Sequence, residues 1–434
     1  MQIEKSLLYQ RILIVAFWIY ATTGFIFDEI MPFALPLRSP IILILDIIIV
    51  ILGFSTLKNR NDIIIILAFF FLVFVSSFIA NNLSLFFVLN GMRDFIPFMF
   101  LIPIYRYFNE EEDRKERFIK ALDKALLWFL IVQGPCLLFQ FLKYGANDHG
   151  GGSLGNWGSG IITTLIYLIS FYLINKRIDK QNLLRSLWDN KLYILLLIPS
   201  FLNETKIGFI FILMYFFLLL PLNRKIFLRV FIAMPFTALF LWLAAYLYSA
   251  STAGYMGNVF SIEYYTQGYL LAQDDDGENY AKWLFEEDSA EDKYDIPRFT
   301  KLLLLQQINE EHPGHILLGF GVGHFKGGTI LAESDIYKEY EWLFFGSMIY
   351  LMHVYIQLGI IGMILIALFW IINFAFFDKK YKRDYNLQLF LILTIVLIGF
   401  YNDSFRNLPM TIVFMYILSS SISLKDDEEN IIEE

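Results

Sequence analysis

Long apolar stretches alternate with short polar connections along nearly the whole chain. A helix that crosses a bilayer needs about 20 mostly apolar residues, and twelve stretches of this sequence approach that length. They are residues 7–27, 41–57, 63–80, 88–105, 122–142, 159–175, 187–202, 207–222, 230–248, 354–377, 386–401 and 408–424. The pattern predicts an all-α polytopic membrane protein with about 12 transmembrane helices.

One polar connection is far longer than the others and divides the chain. Residues 1–248 are predicted to hold transmembrane helices 1–9, and residues 249–345 a single large loop. Residues 346–424 are predicted to supply an interfacial helix and helices 10–12, and residues 425–434 an acidic tail.

The Lys and Arg residues predict which side of the membrane each connection faces. If the N-terminus is cytoplasmic, the inner loops and ends hold 23 of the 34 basic residues, the large loop holds six, and five lie elsewhere outside. Basic residues concentrate in cytoplasmic loops. Both termini are therefore predicted to be cytoplasmic, and the large loop extracytoplasmic.

Three further features narrow the class of protein. The first apolar stretch is too long for a cleavable signal peptide and is expected to act as an uncleaved anchor. Cys136 is the single cysteine, which excludes an intramolecular disulfide. The large loop carries 17 acidic and 6 basic residues, which argues against nucleic acid as a partner. The predicted helices are expected to contact membrane lipids.

The cytoplasmic connections are too small for a nucleotide-binding domain. The two longest have about 16 residues each, and none contains a Gly-rich phosphate-binding loop. A sizeable site is therefore expected in the helix bundle or under the large loop. Because ATP and nucleotide sugars are scarce outside the cell, a synthetic enzyme there needs a substrate that was activated inside.

Two predicted helical hairpins are too short to reach the outer surface. Residues 192–221 and 386–424 must each cross twice, so the turns that hold Lys206 and Arg406 should lie below that surface. A charge at this depth is costly unless it faces water or a partner. We therefore expect Lys206 and Arg406, together with Arg93 at the head of the fourth helix, to face a cavity open to the outside.

These three cations have two interpretations. Either they have structural roles, as ion pairs or, for Arg93, as an anchor in the outer leaflet, or they share an anion site. The candidate structural pairs are Lys206 with Glu204 or Asp403, Arg406 with Asp403, and Arg93 with Asp94. In an anion site, each guanidinium would fork onto phosphate oxygens and the ammonium would add a point charge.

The apolar region from 341 to 377 is too long for one crossing. Residues 342–352 are predicted to lie along the outer interface and residues 354–377 to cross, which puts His353 at the mouth of the crossing helix. A histidine in that position is either a packing residue or a catalytic one. Residues 298–305 are predicted to form a helix on the membrane surface.

The large loop also contains three histidines. They are His312, His315 and His324. Their spacing fits no helix or strand ligand pattern, so no metal site is predicted. Gly321 and Gly323 are expected to let the backbone turn tightly and approach a ligand. Trp157, in the Gly-rich connection 150–158, either belongs to a plain connector or stacks on a sugar.

Two segments of the sequence resemble a known family. They are Arg298 to Phe325, with Glu311-His312-Pro313 and Leu318-Gly319-Phe320-Gly321-Val322-Gly323-His324-Phe325, and His353-Val354-Tyr355-Ile356-Gln357-Leu358-Gly359-Ile360-Ile361-Gly362. Both resemble the end of the large loop and the helix that follows it in the O-antigen ligase / O-antigen polymerase (Wzy-like) superfamily. Val354 stands where that family has Asn, and Lys206 stands where it has the Arg of a Ser-Arg-Gly turn.

The resemblance implies a metal-independent, all-helical glycosyltransferase of the C-type, with no cofactor. The implied donor is a glycan on polyprenyl (undecaprenyl) diphosphate, presented at the outer face of the bacterial inner membrane. The implied catalytic residues are His353, as the base, and Arg298. The implied diphosphate-binding residues are Arg93, Lys206 and Arg406, and the implied glycan-binding residues are Trp157, Gly321, Gly323, His324 and Tyr355.

Three activities fit these features, and we expect the first. A surface-polysaccharide (O-antigen) polymerase joins lipid-linked repeat units and releases polyprenyl diphosphate, with flippase and chain-length regulator proteins as partners. An O-antigen ligase transfers finished glycan to lipid A core. A lipid-linked glycan flippase or other transporter would place ionisable groups near the bilayer midplane, for which Asp46 is the main candidate.

Overall fold

The computed structural model describes ten stretches of the chain. They are residues 2–145, 150–156, 158–179, 182–203, 205, 207–219, 298–325, 334–340, 348–375 and 381–424. The structural description is confined to these residues.

Helices make up almost all of the regular structure in these stretches. They are α1 (Gln2–Phe25), α2 (Arg38–Thr56), α3 (Arg60–Val73), α4 (Leu85–Met92), α5 (Ile96–Asn109), α6 (Glu112–Tyr144), α7 (Ser159–Asn175), α8 (Leu183–Asp189), α9 (Lys191–Leu195), α10 (Ile207–Leu219), α11 (Arg298–Glu311), α12 (Asp335–Glu339), α13 (Tyr350–Ala375), α14 (Tyr385–Tyr401) and α15 (Leu408–Ser420). Short π-helical or 3₁₀ turns are Ile26–Ile30, Pro32–Leu37, Phe74–Ala80, Gly152–Leu154, Ile198–Phe201, Pro313–His315 and Ser404–Arg406. Strands β1 (Tyr381–Arg383) and β2 (Ile422–Leu424) form one short antiparallel ladder. The predicted helical architecture is confirmed apart from this ladder.

Five helical spans are long and apolar enough to cross a membrane, within the described residues. They are Lys5–Ile30, Pro32–Thr56, Arg60–Ala80, Glu112–Tyr144 and Tyr350–Phe374. A sixth results if α4 and α5, which are bent by 48° relative to each other, are counted as one span. The prediction of a helical membrane protein is confirmed to this extent.

The number of twelve crossings stays a prediction. Eleven of the twelve apolar stretches coincide with helices, and the remaining one, residues 230–248, lies outside the described residues. Several of the eleven are short apolar helices of 10–17 residues. Most of the large loop 249–345 also lies outside the described residues. Its extent, the domain boundaries and the location of the termini therefore stay predictions.

The centre of the bundle is built from helices that are buried on every side. α7 is buried at each position from Ile162 to Asn175, and α15 from Leu408 to Leu418. Such all-round apolar helices are expected in the interior of a large or membrane-embedded bundle. α5 packs between α2 and α15, and α7 packs against α10. These central helices fix the turns at their ends, including the turn between α14 and α15.

α13 is interrupted at Gly359, which has φ of 64° and ψ of −163°. Residues 316–321 fill the interruption and bond to the backbone on both of its sides. The four bonds pair Phe320 with Ile356, Gly321 with Gln357, Ile360 with Ile316, and Ile361 with Leu317. Backbone groups freed by a helix break inside an apolar bundle need such partners. The Gly-rich segment is therefore an integral part of the bundle.

This interruption corrects the predicted division of the region at His353. α13 begins at Tyr350, so His353 lies within its first turn, and the break comes later, at Gly359. The physical reason is that the chain breaks where residues 316–321 can satisfy both helix ends. Residues 341–347 lie outside the described residues, so the interfacial position of 342–352 stays a prediction.

The helix predicted to follow Arg298 is present as α11. Its Leu305 and Ile308 are buried in a second apolar cluster that contains Phe320 and Ile356. α11 therefore packs on the first half of α13 and on the Gly-rich segment that fills the break.

Candidate functional site

A narrow cleft lies between α1, α2, the bend that joins α4 to α5, and the turn between α14 and α15. About 210 Å³ of empty space lies along it, open solvent included, and the centre of a water molecule can occupy only about 10 Å³ of that space. Its walls are Tyr20, Asp46, Arg93, Asp94, Pro97, Phe98, Phe405, Arg406, Leu408 and Thr411. Charged side chains inside an apolar helix bundle are rare and usually functional. This cleft is therefore the candidate site.

The bend between α4 and α5 presents two neighbouring charged residues to the cleft. α4 ends at Met92, and α5 begins at Ile96 with Pro97 in its first turn. A proline is tolerated there because the first N–H groups of a helix have no intrahelical partner. Arg93 and Asp94 occupy the bend, and both line the cleft.

Arg93 pairs with Asp46 and not with its neighbour Asp94. The Nε atom of Arg93 donates to Asp46 Oδ2 at 3.0 Å, and the two side chains are 20% and 9% exposed. This differs from the structural pair expected from sequence. The two Nη atoms have no hydrogen-bond partner among the residues the structure describes. Arg93 can therefore bind an anion in the cleft without releasing Asp46.

Arg406 uses all three of its guanidinium nitrogens within the protein. Its Nε and Nη2 lie 3.3 and 3.2 Å from Asp94 Oδ2, and its Nη1 donates to Asp403 Oδ2 at 2.9 Å. The structural pair with Asp403 expected from the sequence is present, and Asp94 is a second partner. Although Arg406 lines the cleft, its hydrogen-bonding capacity is largely occupied by these carboxylates.

His353 lies behind Asp94. Its Nε2 is 3.4 Å from Asp94 Oδ2. Its ring stacks on Phe95, with centroids 5.6 Å apart and an interplanar angle of 18°. The residue is only 2% exposed and is not among the residues that line the cleft. The imidazole is therefore connected to the cleft through the Asp94 carboxylate.

Gln357, which lies one helical turn after His353 on α13, contacts the imidazole of His353. Its Nε2 is 2.7 Å from Nε2 and 3.1 Å from Nδ1 of His353. Its Oε1 accepts a hydrogen bond from the Gly323 N–H at 2.9 Å. Because Oε1 is bound by a donor, the amide offers its own N–H to the ring, and this requires an unprotonated ring nitrogen. The contacts therefore favour a neutral imidazole in which Nδ1 accepts from Gln357 and the proton lies on Nε2, which faces Asp94 Oδ2.

Gly321 and Gly323 let the backbone approach the protein's own helices. Their φ angles are 89° and 93°, and a Cβ on Gly323 would lie 1.9 Å from the carbonyl oxygen of Phe87. The Val322 N–H donates to Ser77 Oγ at 2.9 Å. The close approach expected from sequence is present, but its partners are α4 and the turn after α3 instead of a ligand. A glycan contact at these glycines stays a prediction.

The other two described residues predicted to bind glycan also have partners within the protein. His324 Nδ1 lies 2.9 Å from the carbonyl oxygen of Phe320, and the Tyr355 hydroxyl donates to Asn309 Oδ1 at 2.7 Å. Neither His324 nor Tyr355 is among the residues that line the cleft. Burial lowers the pKa of His324, and that of His315, below the usual 6.5.

Three of the predicted site residues have no described side chain. Lys206 and Trp157 lie outside the described residues, and Arg298 is described only by its backbone, as the first residue of α11. Their roles stay predictions. The turn before Lys206 is described in part, and its Asn203 and Thr205 are buried. This burial agrees with a turn that lies below the surface of the bundle.

The arrangement combines a cation with unoccupied donors and a carboxylate–imidazole pair. Within the described residues, no group of three His, Cys, Asp or Glu side chains could hold a metal ion. The Nη atoms of Arg93 can bind phosphate oxygens, and the Asp94 carboxylate can accept a hydrogen bond or a proton from a hydroxyl. These are the groups that transfer from a phosphorylated donor to a hydroxyl requires.

Asp46, Asp94 and Gln357 are parts of the site that the motifs do not identify. Gln357 has a sequence signal, because it lies one turn from His353 on a predicted helix and must share its face. Asp46 has a weaker signal, as an acidic residue in the middle of an apolar stretch. The pairing of Asp46 with Arg93 depends on how α2 packs against the α4–α5 bend, which the sequence pattern does not reveal.

Comparisons with known proteins provide no independent assignment. No protein-family model matches the chain, and no curated protein is similar to it at a significant level. The functional interpretation therefore rests on the sequence motifs and on the geometry of the cleft.

Proposed function

We propose that the protein is a membrane glycosyltransferase that joins polyprenyl-diphosphate-linked oligosaccharides at the outer face of the bacterial inner membrane, as a surface-polysaccharide (O-antigen) polymerase. The supporting observation is the convergence of Arg93, Asp94 and Arg406 on one cleft, with His353 directly behind. Transfer from a lipid diphosphate to a hydroxyl needs a cation at the leaving group and a proton acceptor at the hydroxyl. Both kinds of group are present in this cleft.

Arg93 is the cleft residue best suited to bind the donor's diphosphate. Its Nη atoms have no partner among the described residues, whereas Arg406 is bound by Asp94 and Asp403. Negative charge grows on the diphosphate as the anomeric bond breaks. A cation held there stabilises the transition state more than the ground state.

The described part of the cleft needs additional positive charge to hold a diphosphate. Its two guanidiniums are surrounded by three carboxylates, which belong to Asp46, Asp94 and Asp403. We propose that the additional charge comes from Lys206, which the family resemblance implies as a diphosphate-binding residue, and from Arg298, which it implies as a catalytic residue. The polyprenyl tail would then lie along apolar helix faces, such as the face of α2 that exposes several isoleucines.

Cells that lack this protein provide the test. If the protein is the polymerase, such cells should carry single-repeat glycan on lipid A core, whereas polymer stranded on its carrier lipid would indicate a ligase instead. Polymer should return with the wild type and stay at least about 100-fold reduced with Arg93→Ala, the usual scale for removing one group that stabilises transition-state charge.

Arg38→Ala is the matched control for this experiment. Arg38 is also an arginine paired with an aspartate, because its Nη1 lies 3.0 Å from Asp28 Oδ1, but it is not among the residues that line the cleft. It should restore polymer fully. Normal polymer in cells whose Arg93→Ala protein is inserted in the membrane would contradict the proposal.

A lipid-linked glycan flippase is the second candidate, because two features resemble those of transporters. Asp46 and Arg93 form an ion pair beside an apolar span, and α13 is broken at Gly359. In liposomes, a flippase would move a labelled lipid-linked glycan between leaflets without forming a glycosidic bond. The polymerase proposal predicts new bonds and longer products.

A further inference from the structure

We propose that Asp94, and not His353, touches the acceptor hydroxyl and takes its proton; this inference rests on the proposed glycosyl transfer. Asp94 lines the cleft, and its side chain is 11% exposed. The side chain of His353 is 3% exposed and is not among the cleft residues. A hydroxyl that enters the cleft therefore meets the carboxylate first.

The imidazole of His353 is enclosed by protein contacts. Phe95 stacks on one face of the ring. Asp94 Oδ2 lies 3.4 Å from its Nε2, and the amide nitrogen of Gln357 lies 2.7 Å from Nε2 and 3.1 Å from Nδ1. For His353 to take a proton from a substrate, one of these contacts would have to break and the ring would have to move into the cleft. The Asp94 carboxylate already belongs to the wall of the cleft.

The surroundings of Asp94 hold its carboxylate in a fixed orientation. Its Oδ2 lies 3.2 Å from Arg406 Nη2 and 3.4 Å from His353 Nε2. A group held in place before the reaction avoids reorganisation during it. The neighbouring residue is Arg93, the proposed contact of the leaving diphosphate. Acceptor and donor contacts therefore come from adjacent residues in one cleft.

In the proposed step, the acceptor oxygen forms a bond to the anomeric carbon of the donor while its proton passes to the Asp94 carboxylate. The bond from the anomeric carbon to the diphosphate oxygen breaks, and its electron pair leaves with the polyprenyl diphosphate. The proton then passes from Asp94 to water or to the released diphosphate. His353 is a positioning residue that holds Asp94.

Asp46 is the other carboxylate that contributes to the walls of the cleft. Its Oδ2 is bound by the Nε of Arg93. Loss of Asp46 should therefore disturb the diphosphate contact and leave the proton acceptor in place. Asp46→Ala and His353→Ala are thus the two comparisons for Asp94→Ala, because each removes a different neighbour of the proposed chemistry.

The test is elongation by the full-length protein in liposomes that contain a synthetic polyprenyl-diphosphate oligosaccharide, with and without formate. Asp94→Ala should lower the rate by at least about 100-fold, the scale of general-base catalysis. Formate supplies a carboxylate small enough for the space that the alanine leaves, and it should restore part of that loss. Asp46→Ala and His353→Ala should show no response to formate.

Asp94→Asn is the second variant, because it keeps the volume of the side chain and leaves no space for formate. It should be inactive with and without formate. If Asp94→Ala does not fold, the activity of Asp94→Asn alone tests whether the carboxylate takes the proton. Elongation by Asp94→Asn within about 10-fold of the wild-type rate, or formate rescue of His353→Ala or Asp46→Ala instead of Asp94→Ala, would overturn this inference alone. A wild type that makes no longer product would overturn the proposed function as well.

Discussion

Replacing Arg406 by methionine should destabilise the protein, because the guanidinium neutralises two carboxylates. The side chain of Asp94 is 11% exposed, that of Asp403 30%, and that of Arg406 itself 28%. Removal of one partner from a buried ion pair costs about 3–5 kcal/mol. Since water reaches Arg406 and Asp403 in part, we expect a loss of about 3 kcal/mol in the free energy of unfolding, at the low end of that range.

A double-mutant cycle separates this ion pair from the loss of packing. Asp94→Asn removes the charge of the other partner at constant volume. If the two charges stabilise each other, Arg406→Met combined with Asp94→Asn should cost less than the sum of the single changes, by at least about 1 kcal/mol. The measurement is equilibrium unfolding of the purified protein in mixed micelles.

Lys58→Met is the matched control for the same assay. Lys58 pairs with Glu110 at 2.9 Å, but these side chains are 63% and 42% exposed. An exposed pair of this kind contributes about 0–1 kcal/mol. Equal losses from Lys58→Met and Arg406→Met, or strict additivity in the cycle, would refute the argument that Arg406 holds the Asp94 carboxylate in place.

Two further predictions concern the segment that fills the break in α13 and the histidines around it. Gly323→Ala should destabilise the protein by several kcal/mol, because its Cβ would lie 1.9 Å from the Phe87 carbonyl oxygen at a φ of 93°. Gly314→Ala, whose Cβ would meet nothing within 4 Å, should leave thermal unfolding in micelles unchanged. Burial lowers the pKa values of His315 and His324 below 6.5, so below that pH the unfolded chain binds more protons than the folded one. Stability should therefore fall as the pH drops through about 6.5, the pKa of histidine in the unfolded chain, and His315→Gln with His324→Gln should flatten the dependence.

The helices were predictable because apolar length is itself the physical requirement for a membrane span. The burial of Asn203 and Thr205 agrees with flanking apolar stretches that are too short to carry their turn to the surface, and the depth of this turn in a membrane stays a prediction. The ion pair between Arg406 and Asp403 was predictable because the two residues are three positions apart in one turn. Each of these features depends on short distances along the chain.

The remaining features depend on contacts between distant segments. Arg93 pairs with Asp46, which is 47 positions away, and not with the adjacent Asp94, because α2 packs beside the bend that holds Arg93. The break in α13 occurs at Gly359 because residues 316–321 supply partners for both helix ends. Sequence pattern places a glycine at the break, but it does not show which segment fills it.

The contacts of Asp94 also differ between what its neighbours in the sequence suggest and what the structure shows. In the sequence it stands beside Arg93 and is the obvious partner of that residue. In the structure it accepts contacts from Arg406 and His353, which lie more than 250 positions further along the chain. Local pairing is therefore a poor guide to a site that is assembled from the ends of several helices.

The most direct test of glycan polymerisation is the mass of the glycan that the reconstituted protein makes. Purified full-length protein in liposomes would receive a polyprenyl-diphosphate oligosaccharide without added metal ion or nucleotide. We expect a ladder of products that differ by whole repeat units, with one polyprenyl diphosphate released for each bond formed. Donor that stays at the length of a single repeat, in a preparation of folded wild-type protein, would contradict this expectation.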